Sequence, residues 1–267
     1  MDNQSQHNCF NTFDRVVDSD ELPEKFTNPF SYKPHPLCVE ASQKLQTHLK
    51  NQTDWKHNFG LQSKSEDEGI GKMFGVLVVQ KSNGEIGFLA AFSGSMGGAT
   101  RHPGFVPPIF DSMAPDGFLN AGMGEITNIN EAIARIKTSG ITDSSEQIGL
   151  LKQLRKDHSN TLLNMIFDEF YFINQAGESK SLKEIFEPIQ PKNPPGGAGE
   201  CAAPKLLQFA FSNNMRPVAM AEFWWGKNPN KINMQHGEYY PSCLDKCKPI
   251  LTHMLEGMVV DAPLKQS

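Results

Sequence analysis

Three cysteines in the last third of the chain, Cys201, Cys243 and Cys247, are the residues best suited to chemistry. Thiolates are soft ligands, and a cysteine cluster in a reducing environment favours Zn²⁺ in a four-coordinate tetrahedral site. Cys243 and Cys247 stand at i and i+4, which on a helix turns both thiols to one face. Cys201 stands at the head of an Ala- and Leu-rich stretch that reads as another helix, where the dipole favours a thiolate. Two residues compete for the fourth position: His236, beside Gly237 in a polar loop, and Cys38, just after the Pro34 and Pro36 pair. A four-cysteine site closed by Cys38 would be structural. Three protein ligands with Glu200 at an open position would be hydrolytic, with Glu200 as the catalytic acid. The bland alternative for each cysteine is a small buried apolar residue.

These residues need elements to hold them. The run from Ala202 to Phe211 predicts a helix, which Asn213 and Asn214 break. Val218 to Phe223 reads as an interior strand ending on Trp224 and Trp225, and a second helix starts at Cys243. Upstream, Lys72–Gln80 and Ile86–Phe92 flank Ser82-Asn83-Gly84, the strongest short hairpin signal in the chain. Together these predict an α+β fold, a mixed sheet with a central β-hairpin covered by helices. Helical periodicity over Val39–Asn51 adds one more cover. Further helical patterns over 128–137, 145–174 and 181–186 predict a helical excursion at about 128–186. The expected organisation is a loose arm over 1–22, a single domain over 23–261 and a tail over 262–267.

The chain has 267 residues, 38% of them hydrophobic, enough for a substantial core. A net charge of -5 and a pI near 5.9 argue against a DNA-coating protein and leave room for a local basic patch. No apolar run approaches the ~20 residues of a membrane span, the first residues carry no secretory pattern, and an odd set of five cysteines fits the cytoplasm. The loop from Ser93 to Asp111 sets Gly94, Gly97 and Gly98 beside Arg101 and His102, a combination suited to an anion, though it matches no phosphate-loop spacing. It reads otherwise as a surface connection. Trp224 and Trp225 are candidates for stacking on RNA bases, or else core aromatics at a strand end.

The order hairpin, helix with a soft ligand, strand, and helix opening on Pro241-Ser242-Cys243 resembles the layout of zinc deaminases. In those enzymes a Glu follows the first ligand by two residues and the closing pair is Cys-x2-Cys. Here Cys201 is followed by Ala202 and Ala203, Glu200 precedes it, and the closing pair is spaced x3. A broader resemblance covers about Leu22 to Asp261. The segments LPEKFTNPFSYKPHPLC, GKMFGVLVVQ, GFLAAFSG, HPGFVPPIFD, GAGECAAPKLLQFAF, RPVAMAEFWWG and HGEYYPSCLDKCKPILTHML are similar to the N-terminal region of long RluA-type RNA pseudouridine synthases. That resemblance implies a role in RNA modification, with tRNA, rRNA or an RNA-modifying synthase as partner. The synthase Arg-Leu-Asp motif is absent, so no synthase site carries over. The leading expectation is a zinc-stabilised accessory module. The rivals are a zinc-dependent deaminase-type hydrolase acting on a nucleobase and a metal-free interaction domain.

Overall fold

The computed structural model describes residues 9–61, 70–139, 144–189, 193–228 and 233–264. Its strands are β1 (Asn11–Thr12), β2 (Lys72–Gln80), β3 (Ile86–Phe92), β4 (Tyr171–Ile173), β5 (Ser179–Ser181), β6 (Arg216–Trp225) and β7 (Tyr239–Tyr240). The α-helices are α1 (Pro36–Asn51), α2 (Phe118–Thr138), α3 (Ser145–Asp168), α4 (Leu182–Phe186), α5 (Ala202–Ser212) and α6 (Cys247–Met254).

The hairpin forms as the Asn-Gly signal demands. Gly84 takes φ +88°, its N–H donates to Lys81 O (2.9 Å), and Asn83 Oδ1 accepts from Glu85 N (3.0 Å). β2 then pairs with β6 on its other side, giving a five-stranded sheet of order β1-β3-β2-β6-β7 in which every pairing is antiparallel. The mixed sheet expected from sequence is therefore corrected: β6 runs against β2, because the chain re-enters beside β2 from the opposite end. A register shift between Val78 and Val79 falls opposite Pro217, which has no N–H to give the ladder.

Both faces of the sheet are covered, which is why β2, β3 and β6 read as nearly continuous apolar runs. On one face Phe74, Val76, Val78 and Phe223 pack against Leu37, Cys38, Ala41, Leu45 and Leu49 of α1. α1 begins at Pro36, earlier than the periodicity suggested. Proline suits the first helical position, and the His35 ring caps the turn by accepting from Leu37 N (3.3 Å). The opposite face receives α5, and Gly75 allows the close approach. A Cβ there would lie 2.9 Å from Leu206 Cδ1 and 3.1 Å from Ala202 Cβ. Gly75→Val is expected to push α5 off the sheet and destabilise the protein by about 1–3 kcal/mol, the usual cost of overpacking, as read by urea unfolding.

Residues 9–22 are better fixed than a loose arm. β1 adds to the edge of β3 with Asn11 opposite Phe88, and Cys9 and Phe13 are buried. The helical excursion is a second compact unit spanning Phe110–Phe170. Within it, Leu162 of α3 sits over Gly122 of α2, and Phe110 meets Phe118 and Phe170, both at 6.0 Å between ring centres. It starts before residue 128 because α2 begins at Phe118, and it stops short of 186. The β4–β5 hairpin and α4 belong to the sheet unit, where the buried Phe172, Leu182 and Phe186 lie. Among the described residues, no helix is long and apolar enough to cross a membrane.

Candidate metal centre

The sulfurs of Cys201, Cys243 and Cys247 all lie within 4.8 Å of one another, and those of Cys243 and Cys247 are 3.3 Å apart. Three segments bring them there. Cys201 is the N-cap of α5, and its side chain makes no capping bond, leaving the thiol available. The residue before it is tied to the end of β3 by Gly94 N donating to Glu200 O (3.0 Å). Lys205, one turn on, donates to Phe92 O (2.9 Å) and Gly94 O (3.3 Å), fastening the start of α5 to the same strand end. Cys247 is the first residue of α6 and Cys243 precedes it in a turn, so the second helix starts four residues later than expected. Pro249 in the first turn favours a helix start there. α6 is docked by buried Ile250, Leu251 and Met254, and by the His253 Nε2 contact with Phe172 O (3.0 Å).

Within the group, one sulfur is prepared to carry charge for the other two. Hydrogen bonds from Cys201 and then Cys247 hold the Cys243 thiol far below its ordinary range. The same bonds keep Cys247 protonated, and the bond with Cys243 keeps Cys201 protonated. Such a set suits one divalent soft metal, which replaces those shared protons. Cys243 is exposed and Cys201 half-buried, so the cluster opens toward solvent.

Behind the cysteines lies an acid that sequence reading passed over. Glu222 stands in the middle of β6, 3% exposed, on the face that receives α5, opposite Gly75. Its carboxylate accepts from the Ala203 N–H and from Ser242 Oγ. It therefore caps the helix that Cys201 opens and grips the residue next to Cys243. Burial, only partly offset by these bonds, pushes its carboxyl up to about 7. Its charge is felt at Cys201, Cys243 and Cys247. The signal was present: a glutamate inside the apolar run from Val218 to Trp225 must be buried, and a buried carboxylate needs partners.

The remaining candidates fall elsewhere. His236 is not brought to the cluster: its Nδ1 accepts from Gly226 N (2.9 Å), and its ring lies 4.1 Å from that of Trp225. Trp225 belongs to the core on the α1 face, and so does Cys38, fully buried; the sheet separates both from the three sulfurs. Burial raises the Cys38 thiol strongly, as expected of an apolar filler. These two corrections leave three cysteines alone in the group among the described residues. Glu200 is not part of it, and its charge is felt by Lys72 and Lys205. Trp225, expected as a possible base-stacking residue, is core. Trp224 is half-exposed and alternates onto the Glu222 face, its Nε1 donating to Lys227 O (3.3 Å). Arg101 and His102 lie in the loop after β3; His102 Nε2 contacts Met96 O (2.7 Å) between the rings of Trp55 and Phe92.

Compared with family models, curated proteins and solved structures, the chain matches none.

Proposed function

We propose that this chain is a zinc-dependent hydrolase of the deaminase type, acting on a nucleobase, free or within RNA. One observation carries the reading: three converging thiols, with no fourth protein ligand among the described residues, are backed by the buried acid Glu222. Zinc deaminases place their acid two residues after the first ligand. That position here is Ala203, and the Glu222 carboxylate arrives at its backbone N–H from the neighbouring strand. The same acid would thus be supplied through space instead of along the helix.

Zn²⁺ held by Cys201, Cys243 and Cys247 would supply Lewis-acid activation of water. The protein's own part is proton handling. With its carboxyl pushed up to about 7, Glu222 can take a proton and return it near neutrality. Ser242 and the Ala203 N–H fix the direction of its oxygens. In the overall reaction a C–N bond to the exocyclic amine breaks, a C–O bond forms, and ammonia leaves. Trp224, half-exposed two residues beyond Glu222 on the same strand face, is placed to lie against a flat ring.

The deciding measurement is ammonia release from a panel of nucleosides, tRNA and rRNA fragments by zinc-loaded protein. Release that Cys243→Ala abolishes supports the reading; none across the panel removes it. The accessory-module reading is favoured by the sequence segments shared with RNA pseudouridine synthases. It predicts salt-dependent binding to tRNA or rRNA fragments without turnover, and affinity no better than a neutral control protein would end it. Protein that purifies with no stoichiometric metal, and takes up none, would leave only an interaction domain.

A further inference from the structure

A cavity of about 520 Å³ opens on the flank of α5 beside the loop that follows β3. That volume lies within the range of pockets that hold small organic molecules. None of the three clustered cysteines lines it, so it is not the metal site. Its walls are mostly apolar, with Pro107, Pro108 and Ile109 on the loop side facing Phe209 on the helix. The cations Arg101 and Lys205 join them, and no Asp or Glu is in the lining. In a chain of net charge -5 this is a local reversal of sign.

The loop wall is fixed in place by hydrogen bonds. Val106 N donates to Ala90 O (2.9 Å), Phe105 N to His102 O (3.2 Å), and Cys9 Sγ to Phe105 O (3.1 Å). Lys205 is held in the floor by its two carbonyl acceptors, so its charge cannot swing away. A cavity held this way loses little entropy on filling. Burying an anion in it requires a cation in place, and Arg101, exposed at the mouth, offers a planar fork suited to carboxylate, sulfonate or phosphate.

We propose that this cavity binds a small organic acid, its apolar body lying between the proline-rich loop and Phe209 and its anionic group at Arg101. The inference does not depend on the hydrolase reading.

The test uses the full-length, zinc-loaded protein and two fluorescent probes sharing one aromatic body. 1-Anilinonaphthalene-8-sulfonate carries an anion; N-phenyl-1-naphthylamine is its neutral counterpart. The sulfonate is expected to bind saturably at one site, at least tenfold tighter than the amine. Arg101→Gln is expected to erase that difference while leaving the amine unaffected. Ser212→Trp, which fills the cavity from an exposed position on α5, is expected to abolish binding of both. Equal affinity for the two probes, or no effect of Arg101→Gln, overturns the charge assignment. Undiminished binding by Ser212→Trp overturns the location. Zinc content measured on the same samples keeps a failure here distinct from a failure of the metal site.

Discussion

Cys247→Ser is expected to strip the protein of its metal. Cys247 is 2% exposed and its sulfur is 3.3 Å from that of Cys243, so no other described ligand can take its place. Structural zinc sites are worth roughly 10–16 kcal/mol over four ligands, so each thiolate contributes on the order of 3 kcal/mol, or about 100-fold in affinity. Wild-type protein should carry one zinc per chain by elemental analysis, and the variant little after dialysis against a weak chelator. His236→Ala and Cys38→Ala should keep the metal, since both residues lie beyond the sheet. Cys38→Ala should nonetheless lower the melting temperature, because Cys38 is fully buried. Acid should weaken binding. Cys201 and Cys247 are held protonated, and each proton that zinc must displace costs about tenfold in affinity per pH unit of acidification. A Cys247→Ser protein with full zinc content would refute the three-cysteine site.

Glu222→Gln is the second large effect. If the acid moves the proton, kcat should fall by about 10²–10⁴ with zinc retained, while Glu200→Gln changes it only a few-fold. Stability should move the other way. The folded value of about 7 lies above the ordinary 4.5, so the fold prefers the uncharged carboxyl. That contribution is complete below pH 4.5 and is lost as pH rises through about 7. Metal-free protein should therefore weaken across that window by on the order of 3 kcal/mol. Glu222→Gln, which cannot ionise, should flatten the dependence. Thermal melts of zinc-stripped samples from pH 4 to 8 provide the check. A Glu222→Gln enzyme with normal turnover would return the acid's role to structure alone.

How much of this was legible in the sequence follows from the range of each signal. The Asn-Gly hairpin and the apolar run of β6 were readable because turn chemistry and burial act locally. The cysteine trio was readable because thiols of that spacing in two flanking helices have few other uses. His236 failed because loop freedom says nothing about which side of a sheet a loop lies on. Pairing with Tyr239 and Trp225 took it to the α1 side. Glu222 was missed because the expected acid was sought along the chain from Cys201, whereas proximity here is made across β6 and α5. The early start of α2 and the pairing of β1 were hidden for a related reason: polar sequence that long-range contacts hold in place has no local periodicity.

The three thiols, Glu222 and Ser242 all come from one uninterrupted stretch, Cys201 to Cys247, yet β6 at its middle must pair with β2 from far upstream. Metal capture closes a short loop; completing the sheet closes a long one. The order of assembly then becomes a matter of metal supply. With zinc abundant, α5 and α6 can be clasped together before β6 reaches the hairpin, and the long closure joins two prepared halves. With zinc scarce, β6 must find β2 as an unguided apolar strand, the slower route and the one most exposed to association with other chains. The same cluster that would activate water thus also decides how safely the protein is made.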